Sequence, residues 1–224
     1  SALRAIYYLQ HGALITTADV ESALTDDASP EDEAFMREAI RLSELAAEHG
    51  NEPFGAVLVK DGKIVFSNEN QIYTKHDPTF HGEAGLIREF CARTAITDLH
   101  EYTLYSSCEP CFMCSGAMVW VKLGRLVYGA GNIDLENILG KKGCNCSKMV
   151  FDNSFWQPQV TQGVLREEAL EILQEYFGSH KKAETASDRP ACRRPRTDVP
   201  IPTAKSKPPA QPVVLTIPPL FSAG

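Results

Sequence analysis

The sequence of 224 residues predicts a three-layer α/β fold, in which a mixed central sheet has helices on both faces. Three observations support this prediction: a capped amphipathic helix from residue 29, a hairpin signal at residues 61–62, and alternating helix and strand patterns up to residue 177. Hydrophobic residues make up 43% and charged residues 23%, which is ordinary for a globular domain. No apolar stretch approaches the roughly 20 residues that cross a membrane, so a membrane-spanning helix is excluded.

The first predicted helix starts with a strong N-terminal signal. Ser29 is expected to be the N-cap, Pro30 the first helical residue and Asp32 the third, a combination typical of helix starts. An apolar stripe follows at helical spacing, and Gly50 ends the helix. The stripe consists of Phe35, Met36, Ala39, Ile40, Leu42 and Ala46.

The later elements follow from the same kinds of pattern. Two apolar runs, residues 56–60 and 63–67, flank Asp61-Gly62, a dipeptide typical of hairpin turns. Beyond the hairpin we expect a helix from near His81 to residue 93, a strand over 102–107, a helix over 111–122 and a strand over 125–131. A loop rich in Gly, Lys and Cys then precedes a last helix over residues 163–177.

Charge and proline content divide the chain into three segments. The formal net charge of −7 is made up of −3 in residues 1–30, −7 in residues 31–182 and +3 in residues 183–224. The last segment also holds nine of the fourteen prolines, which stop helix and sheet from propagating. We therefore predict an N-terminal extension over 1–28, a folded domain over 29–182 and a disordered Pro-rich tail over 183–224.

The cysteines indicate a metal site in a reducing compartment. The chain has seven cysteines, an odd number, and those at positions 108, 111 and 114 are too close together for an ordinary disulfide framework. We therefore expect a cytoplasmic protein that binds a metal.

Two short motifs account for the expected chemistry. His81 and Glu83 are separated by one residue, and Cys111 and Cys114 follow Pro110 with two residues between them. A catalytic zinc ion takes three protein ligands from His and Cys side chains and leaves a fourth position for water. His81, Cys111 and Cys114 are the candidate ligands, and Glu83 is the candidate general acid and base that moves protons between water and substrate.

This combination, H-x-E followed by P-C-x-x-C, is the zinc deaminase signature. The sequence resembles the cytidine-deaminase-like superfamily, and more closely its branch of guanine deaminases, fungal cytosine deaminase and bacterial tRNA adenosine deaminases. The resemblance covers about residues 32–180 and includes residues 53–59 (PFGAVLV), Asn70, residues 77–79 (DPT), His81-Gly82-Glu83 and residues 107–114 (SCEPCFMC). Gly82 departs from the Ala of many relatives, and Phe80 replaces a residue that is often small.

The resemblance implies a role for further residues. Asn70 would bind the base, the backbone around Ala56 would contact the base edge, and the Pro110 carbonyl would contact the departing amine. It also implies Zn²⁺ as the cofactor and a homodimer as the assembly.

The resemblance to sub-branches favours a small substrate. Residues 107–111, Trp120 and residues 151–155 (FDNSF) are similar to guanine deaminases, which makes Asp152 a candidate second acid/base group. Residues 124–130 and the last helix are similar to tRNA adenosine deaminases, but the acidic folded domain suits an anticodon loop poorly. The predicted activity is therefore hydrolytic removal of an exocyclic amine from a small purine-type nucleobase or nucleoside. A tRNA-specific adenosine deaminase and a non-catalytic deaminase-fold interaction module are the alternatives, and the intact Glu83 argues against the second.

Several residues also have simpler interpretations. Cys108, Cys111, Cys114, Cys144 and Cys146 would suit a structural zinc knot, although such a site does not need the His-x-Glu motif. Cys108 by itself is typical of a small buried residue. Asn70 and Asp152 are also typical of turns. Trp120 and Phe155 suit either the core or a pocket.

Overall fold

The computed structural model describes residues 29–140 and 146–185, with side chains as far as residue 178. The predicted extension over residues 1–28, Cys144 and nearly all of the predicted tail lie outside the described residues. None of the helices in the described part is long and apolar enough to cross a membrane.

Helices and strands alternate along the described chain much as the sequence predicts. They are α1 (Pro30–Glu48), β1 (Gly55–Lys60), β2 (Lys63–Glu69), α2 (Gly82–Thr94), β3 (Thr103–Cys108), α3 (Phe112–Trp120), β4 (Arg125–Ala130), α4 (Asn132–Leu139), α5 (Ser147–Asp152), β5 (Gln159–Gln162) and α6 (Arg166–Thr185).

The strands form one mixed sheet in the order β2-β1-β3-β4-β5. The hairpin pair β1–β2 and the pair β1–β3 are antiparallel, whereas β3–β4 and β4–β5 are parallel. Ala56 pairs with Asn68 on one side and with Ser106 on the other. The parallel strands β3 and β4 therefore end at the same edge of the sheet, where Cys108 pairs with Ala130.

Helices cover both faces of the sheet, which confirms the predicted three-layer fold. Strands β1, β3 and β4 are buried along nearly their whole length, as expected for strands that are covered on both sides. One apolar core joins the sheet to α2, α3 and α5, and includes Leu58, Leu86, Phe90, Leu104, Met118 and Phe151. The other joins it to α1 and α6, and includes Met36, Ile40, Val57, Val127, Leu170 and Leu173.

The N-terminus of α1 is fixed to the sheet by a buried polar group. Ser29 and Asp32 form the predicted capping box, and the Asp32 side chain is only 3% exposed. Arg125 on β4 donates to both Asp32 oxygens at 2.7 and 3.0 Å, and the Tyr105 hydroxyl on β3 donates to Oδ1 at 2.6 Å. Helix α1 is thus held against two central strands.

The segment after β4 contains more structure than the predicted loop. It holds α4, α5 and β5, and α6 extends to Thr185, which is eight residues past the predicted end. Strand β5 has four residues, of which only Thr161 is buried, so it gives no alternating pattern. Helices α4 and α5 have eight and six residues, which is too short for a clear helical period.

Candidate active site

Two helix N-termini meet at the predicted motif residues. His81 is the N-cap of α2, Cys111 is the N-cap of α3, and Cys114 lies in the first turn of α3. The first turn of a helix has unpaired N–H groups and a partial positive charge, which favours anionic groups such as thiolates and carboxylates. The fold therefore gives the predicted ligands a favourable electrostatic setting.

The three predicted ligands converge as a metal site requires. A ring nitrogen of His81 and the sulfur atoms of Cys111 and Cys114 all lie within 4.8 Å of one another. The distance from Cys111 Sγ to His81 Nδ1 is 3.7 Å. Two such donors on one tetrahedral zinc ion would lie about 3.6 Å apart, given Zn–S and Zn–N bonds of roughly 2.3 and 2.0–2.1 Å. The donor set therefore fits zinc, with three protein ligands as in catalytic sites.

The structural zinc knot that the sequence left open finds no support among the described residues. Cys108 and Cys146 do not join the group of three ligands in the described part of the chain. Cys108 is buried at the end of β3, and burial raises the pKa of its thiol far above the usual range.

The two candidate ligand thiols differ in acidity. The contact with Cys114 lowers the pKa of Cys111 to about 4, and His81 assists it. The same contact raises the pKa of Cys114, as does burial, and the bond to Cys111 raises the pKa of His81. The lowered pKa of Cys111 favours its thiolate, which is the form that binds a metal.

Glu83 is buried directly beside these ligands. Its side chain accepts a hydrogen bond from Ser106 Oγ at 3.0 Å on Oε1 and from Cys114 Sγ at 3.4 Å on Oε2. Burial raises the pKa of the Glu83 carboxyl group. A raised pKa suits a carboxyl group that has to take up a proton as well as release it.

Asn70 follows β2 and lies close to the chain segment before His81. Its backbone N–H donates to Phe54 O at 2.8 Å, and Gln71 N–H donates to Phe80 O at 3.0 Å. The Oδ1 atom accepts from Ile72 N at 3.0 Å, so Asn70 does cap a turn. This bond also fixes the amide orientation, and the buried Nδ2 has no hydrogen-bond partner among the residues that the structure describes. A buried donor of this kind is costly to a protein unless a ligand uses it.

Ala56 lies on β1 beside Ser106, and Pro110 follows the end of β3. Ala56 is fully buried in β1, between Asn68 and Ser106. The Pro110 carbonyl accepts from Ser115 Oγ at 3.2 Å, which leaves one lone pair for another donor.

Comparison with known proteins identifies the family. Residues 29–130 match the family described as the cytidine and deoxycytidylate deaminase zinc-binding region. A tRNA-specific adenosine deaminase of Bacillus subtilis is 34% identical over 160 residues, which are 70% of this chain and 95% of that protein. The chain belongs to the cytidine-deaminase-like superfamily.

Further relatives place this deaminase in the nucleobase and nucleoside branch. A guanine deaminase of Bacillus subtilis is 40% identical over 103 residues, or 46% of this chain and 66% of that protein. A solved structure from studies of A-to-I editing by tRNA:A34 deaminases is 30% identical, with a TM-score of 0.53, and covers 62% of this chain and 98% of its own.

One relative is much longer than this deaminase. A tRNA(Ile)-lysidine synthase of Deinococcus radiodurans is 35% identical over 170 residues, which are 75% of this chain but only 28% of that protein.

Asp152 is not brought into the group around Glu83. It ends α5, and its two carboxylate oxygens accept from Lys148 Nζ at 2.9 and 2.8 Å in an exposed ion pair. Its part in proton transfer stays a prediction.

Trp120 and Phe155 lie outside the core and outside the group of candidate ligands. They are 78% and 68% exposed and contact each other edge to face.

Two buried polar residues beside the site were given no role from the sequence. Ser106 contacts Glu83, as described above, and Glu109 accepts from the backbone N–H groups of Asn132 and Ser147 at 3.0 and 2.9 Å. Glu109 thereby joins the turn before Cys111 to the starts of α4 and α5. For Ser106 the available signal was a polar side chain in the middle of a buried strand, because such a group needs a partner.

Proposed function

We propose that this protein is a zinc-dependent hydrolytic deaminase, which replaces an exocyclic amine of a small purine-type nucleobase or nucleoside with oxygen and releases ammonia. The observation that supports this most is the buried carboxylate of Glu83 next to the group formed by His81, Cys111 and Cys114. A structural metal site does not need a buried carboxylate, and Glu83 makes no ion pair with Lys or Arg in the described part of the chain.

The proposed mechanism assigns one role to each side chain. His81, Cys111 and Cys114 would hold zinc, which would activate the attacking water and stabilise negative charge. Glu83 takes a proton from that water, gives it to a ring nitrogen, and then assists proton transfer to the leaving amine. Because Glu83 is only 6% exposed, bulk water has little access to this proton.

Three further groups would orient the base. The unpaired Nδ2 of Asn70 is a donor for an acceptor atom of the base, and its orientation is already fixed by Ile72. The free lone pair of the Pro110 carbonyl would accept from the departing amine, and the backbone around Ala56 would contact the base edge. The resemblance suggests these last two roles.

The charges around the site favour a small neutral substrate over RNA. The bond from Cys111 to His81 and the burial of Tyr176 are the main causes of the raised pKa of these two groups. The negative charge of Glu52 adds a smaller increase to each pKa, so Glu52 lies close enough to affect both. The cleft between α1 and α6 adds Glu44, Glu48 and Glu175 close to Tyr176. Acidic groups in these positions repel phosphates, whereas RNA-binding surfaces are typically basic.

The alternative is deamination of adenosine in tRNA. It is favoured by the tRNA-specific relative, because the match covers 95% of that relative's length. This alternative predicts salt-sensitive binding to a tRNA anticodon stem-loop.

One assay separates the two substrates. Ammonia release by the zinc-loaded full chain is measured with guanine, guanosine, adenine, adenosine and cytosine, and inosine formation is measured with the anticodon stem-loop. Turnover of a purine or its nucleoside without reaction on the stem-loop would support the proposal. Inosine formation in the stem-loop with no reaction on the small bases would refute it in favour of the alternative.

We also propose that the protein is a homodimer, which pairs through the exposed apolar side chains of α3 and the segment after α5. Phe112, Met113, Trp120 and Phe155 are 44%, 37%, 78% and 68% exposed, and such patches are typical of interfaces. Sedimentation should give a dimer for the wild type and a monomer for Trp120→Glu. The control is Ile133→Glu, since Ile133 is similarly exposed at 73% but lies on α4.

Because both ligand thiols must stay reduced, we place the protein in a reducing compartment such as the cytoplasm.

A further inference from the structure

Ser106 is a buried hydroxyl group that lies between two acceptors. It sits in the middle of β3 and is only 1% exposed. Its Oγ lies 3.0 Å from Glu83 Oε1 and 2.7 Å from the backbone carbonyl oxygen of Cys108. A serine hydroxyl has one proton to donate and two lone pairs with which to accept.

The hydroxyl can keep its bond to Glu83 throughout the proposed proton transfer. When Glu83 is a carboxylate, Ser106 donates its proton to Oε1. When Oε1 holds the proton, Glu83 donates to Ser106 Oγ, and Ser106 donates to the Cys108 carbonyl instead. In both arrangements the distance between Oγ and Oε1 remains that of a hydrogen bond.

Glu83 makes one other side-chain contact among the hydrogen bonds of the described residues. Its Oε2 lies 3.4 Å from Cys114 Sγ, and a thiol is a weak donor. The bond between Ser106 Oγ and Oε1, at 3.0 Å, is the shorter of the two and involves the stronger donor.

We propose that Ser106 is a positioning residue, which holds Oε1 of Glu83 in place while Glu83 passes a proton from water to the base. This inference rests on the proposed function, because it assigns the residue that orients the proposed general acid and base. Ser106 does not itself touch the reacting atoms.

The neighbouring Ser107 provides a matched control. It has the same chemistry, lies in the same strand and is 4% exposed. Adjacent residues of a strand point to opposite faces, and Ser107 Oγ accepts from the Gly55 backbone N–H at 3.1 Å on the side away from Glu83. Each variant loses a buried hydroxyl that makes hydrogen bonds, but only Ser106→Ala removes a bond from Glu83.

The kinetic test compares Ser106→Ala, Ser106→Thr and Ser107→Ala in the full zinc-loaded chain. We expect Ser106→Ala to lower kcat roughly 10- to 100-fold with little change in KM, because hydrogen bonds to charged groups are among the stronger ones. Ser106→Thr should recover most of kcat, since it keeps the hydroxyl, and Ser107→Ala should leave kcat within about twofold. Equal losses of kcat in Ser106→Ala and Ser107→Ala would overturn the proposal.

A second measurement does not depend on activity. The protein is labelled with ¹³C at the glutamate carboxyl carbons, and the Glu83 resonance is assigned by its absence in Glu83→Gln. We expect this resonance to shift in Ser106→Ala but not in Ser107→Ala. An unchanged resonance in Ser106→Ala would overturn the positioning role. Should the wild type deaminate none of the substrates, the proposed function would fail, but this comparison would still decide whether Ser106 positions Glu83.

Discussion

Substitution of Asn70 by alanine should lower activity without a large loss of stability. The variant loses the bond from Ile72 N to Oδ1, which costs about 1 kcal/mol, and some packing of a fully buried side chain, which costs about another 1 kcal/mol. It also removes the buried Nδ2 that has no partner, which recovers about 1–3 kcal/mol. The free energy of unfolding should therefore stay within about 1 kcal/mol of the wild-type value.

The effect of Asn70→Ala on catalysis should be larger. If Nδ2 donates to the base, its loss leaves a substrate acceptor unpaired in a buried site, and kcat/KM should fall roughly 10- to 100-fold. The assay is kcat/KM for the best small substrate, together with urea unfolding of the same samples.

Asn51 is a matched control for this substitution. It is also fully buried and also caps the loop after β2, but both polar atoms of its amide have hydrogen-bond partners. Its Oδ1 accepts from the backbone N–H groups of Tyr73 and Thr74 at 3.1 Å each, and its Nδ2 donates to Thr74 Oγ1 at 3.2 Å. Asn51→Ala should therefore lower the free energy of unfolding by about 2–4 kcal/mol, and kcat/KM of the folded protein should change little. The reasoning would be refuted if Asn70→Ala were as destabilising as Asn51→Ala and retained wild-type kcat/KM.

Three further predictions concern the proton shuttle, the metal and the stability of the fold. Glu83→Gln should bind zinc as the wild type does, by elemental analysis, and should lower kcat by about 10²-fold or more, because amides cannot accept the proton. Cys111→Ser should bind zinc more weakly in a chelator competition, and chelation of the wild type should lower Tm, since a metal that binds only the folded state stabilises it. Burial would raise the pKa of Asp32, but bonds from Arg125, Ser29 and Tyr105 lower it to about 2 from a usual 3.8. The folded-state pKa is thus depressed, so about 2 kcal/mol of stability should be present above pH 4 and be lost as the pH falls towards 2. Urea unfolding between pH 2 and pH 7 measures this, and Asp32→Asn should be less stable at neutral pH and should lack this part of the pH dependence.

The parts of the fold that were predicted correctly are those with strong local signals. Helix α1 starts at Pro30 because Ser29 and Asp32 form a capping box, which the sequence shows directly. The hairpin β1–β2 turns at Asp61-Gly62, where both residues have positive φ. The buried strand β4 is a short, mainly apolar run, which is the pattern expected beneath helices on both faces, whereas the equally buried β3 contains Ser106 and Ser107.

The metal group was also predictable, because its parts are local motifs. Cys111 and Cys114 are neighbours on one helical turn, and only His81 had to come from elsewhere in the chain. The long-range contacts of the site were not predictable in the same way. The bond between Ser106 and Glu83 joins residues 23 apart in the sequence, and it depends on how α2 packs on β3.

The unpredicted features are decided by tertiary packing. The unpaired Nδ2 of Asn70 follows from a turn bond that fixes the amide, and composition does not reveal it. The exposure of Trp120 depends on the orientation of α3, since an aromatic residue at the end of a helix suits the core equally well. Asp152 has a nearby partner in Lys148, four residues earlier on the same helix, and this pairing directs its carboxylate to the surface.

The most direct test of the proposed activity is the reaction of guanine, guanosine, adenine and adenosine in water enriched in ¹⁸O, each with the zinc-loaded wild type and with Glu83→Gln. Mass spectrometry of the product and an ammonia assay are read from the same sample. The proposed hydrolytic mechanism predicts that at least one of the four reacts, with one ammonia released and one ¹⁸O incorporated for each molecule consumed, and that both are greatly reduced in Glu83→Gln. If all four remained unchanged with the zinc-loaded wild type, or if Glu83→Gln formed product equally well, the proposal would be contradicted.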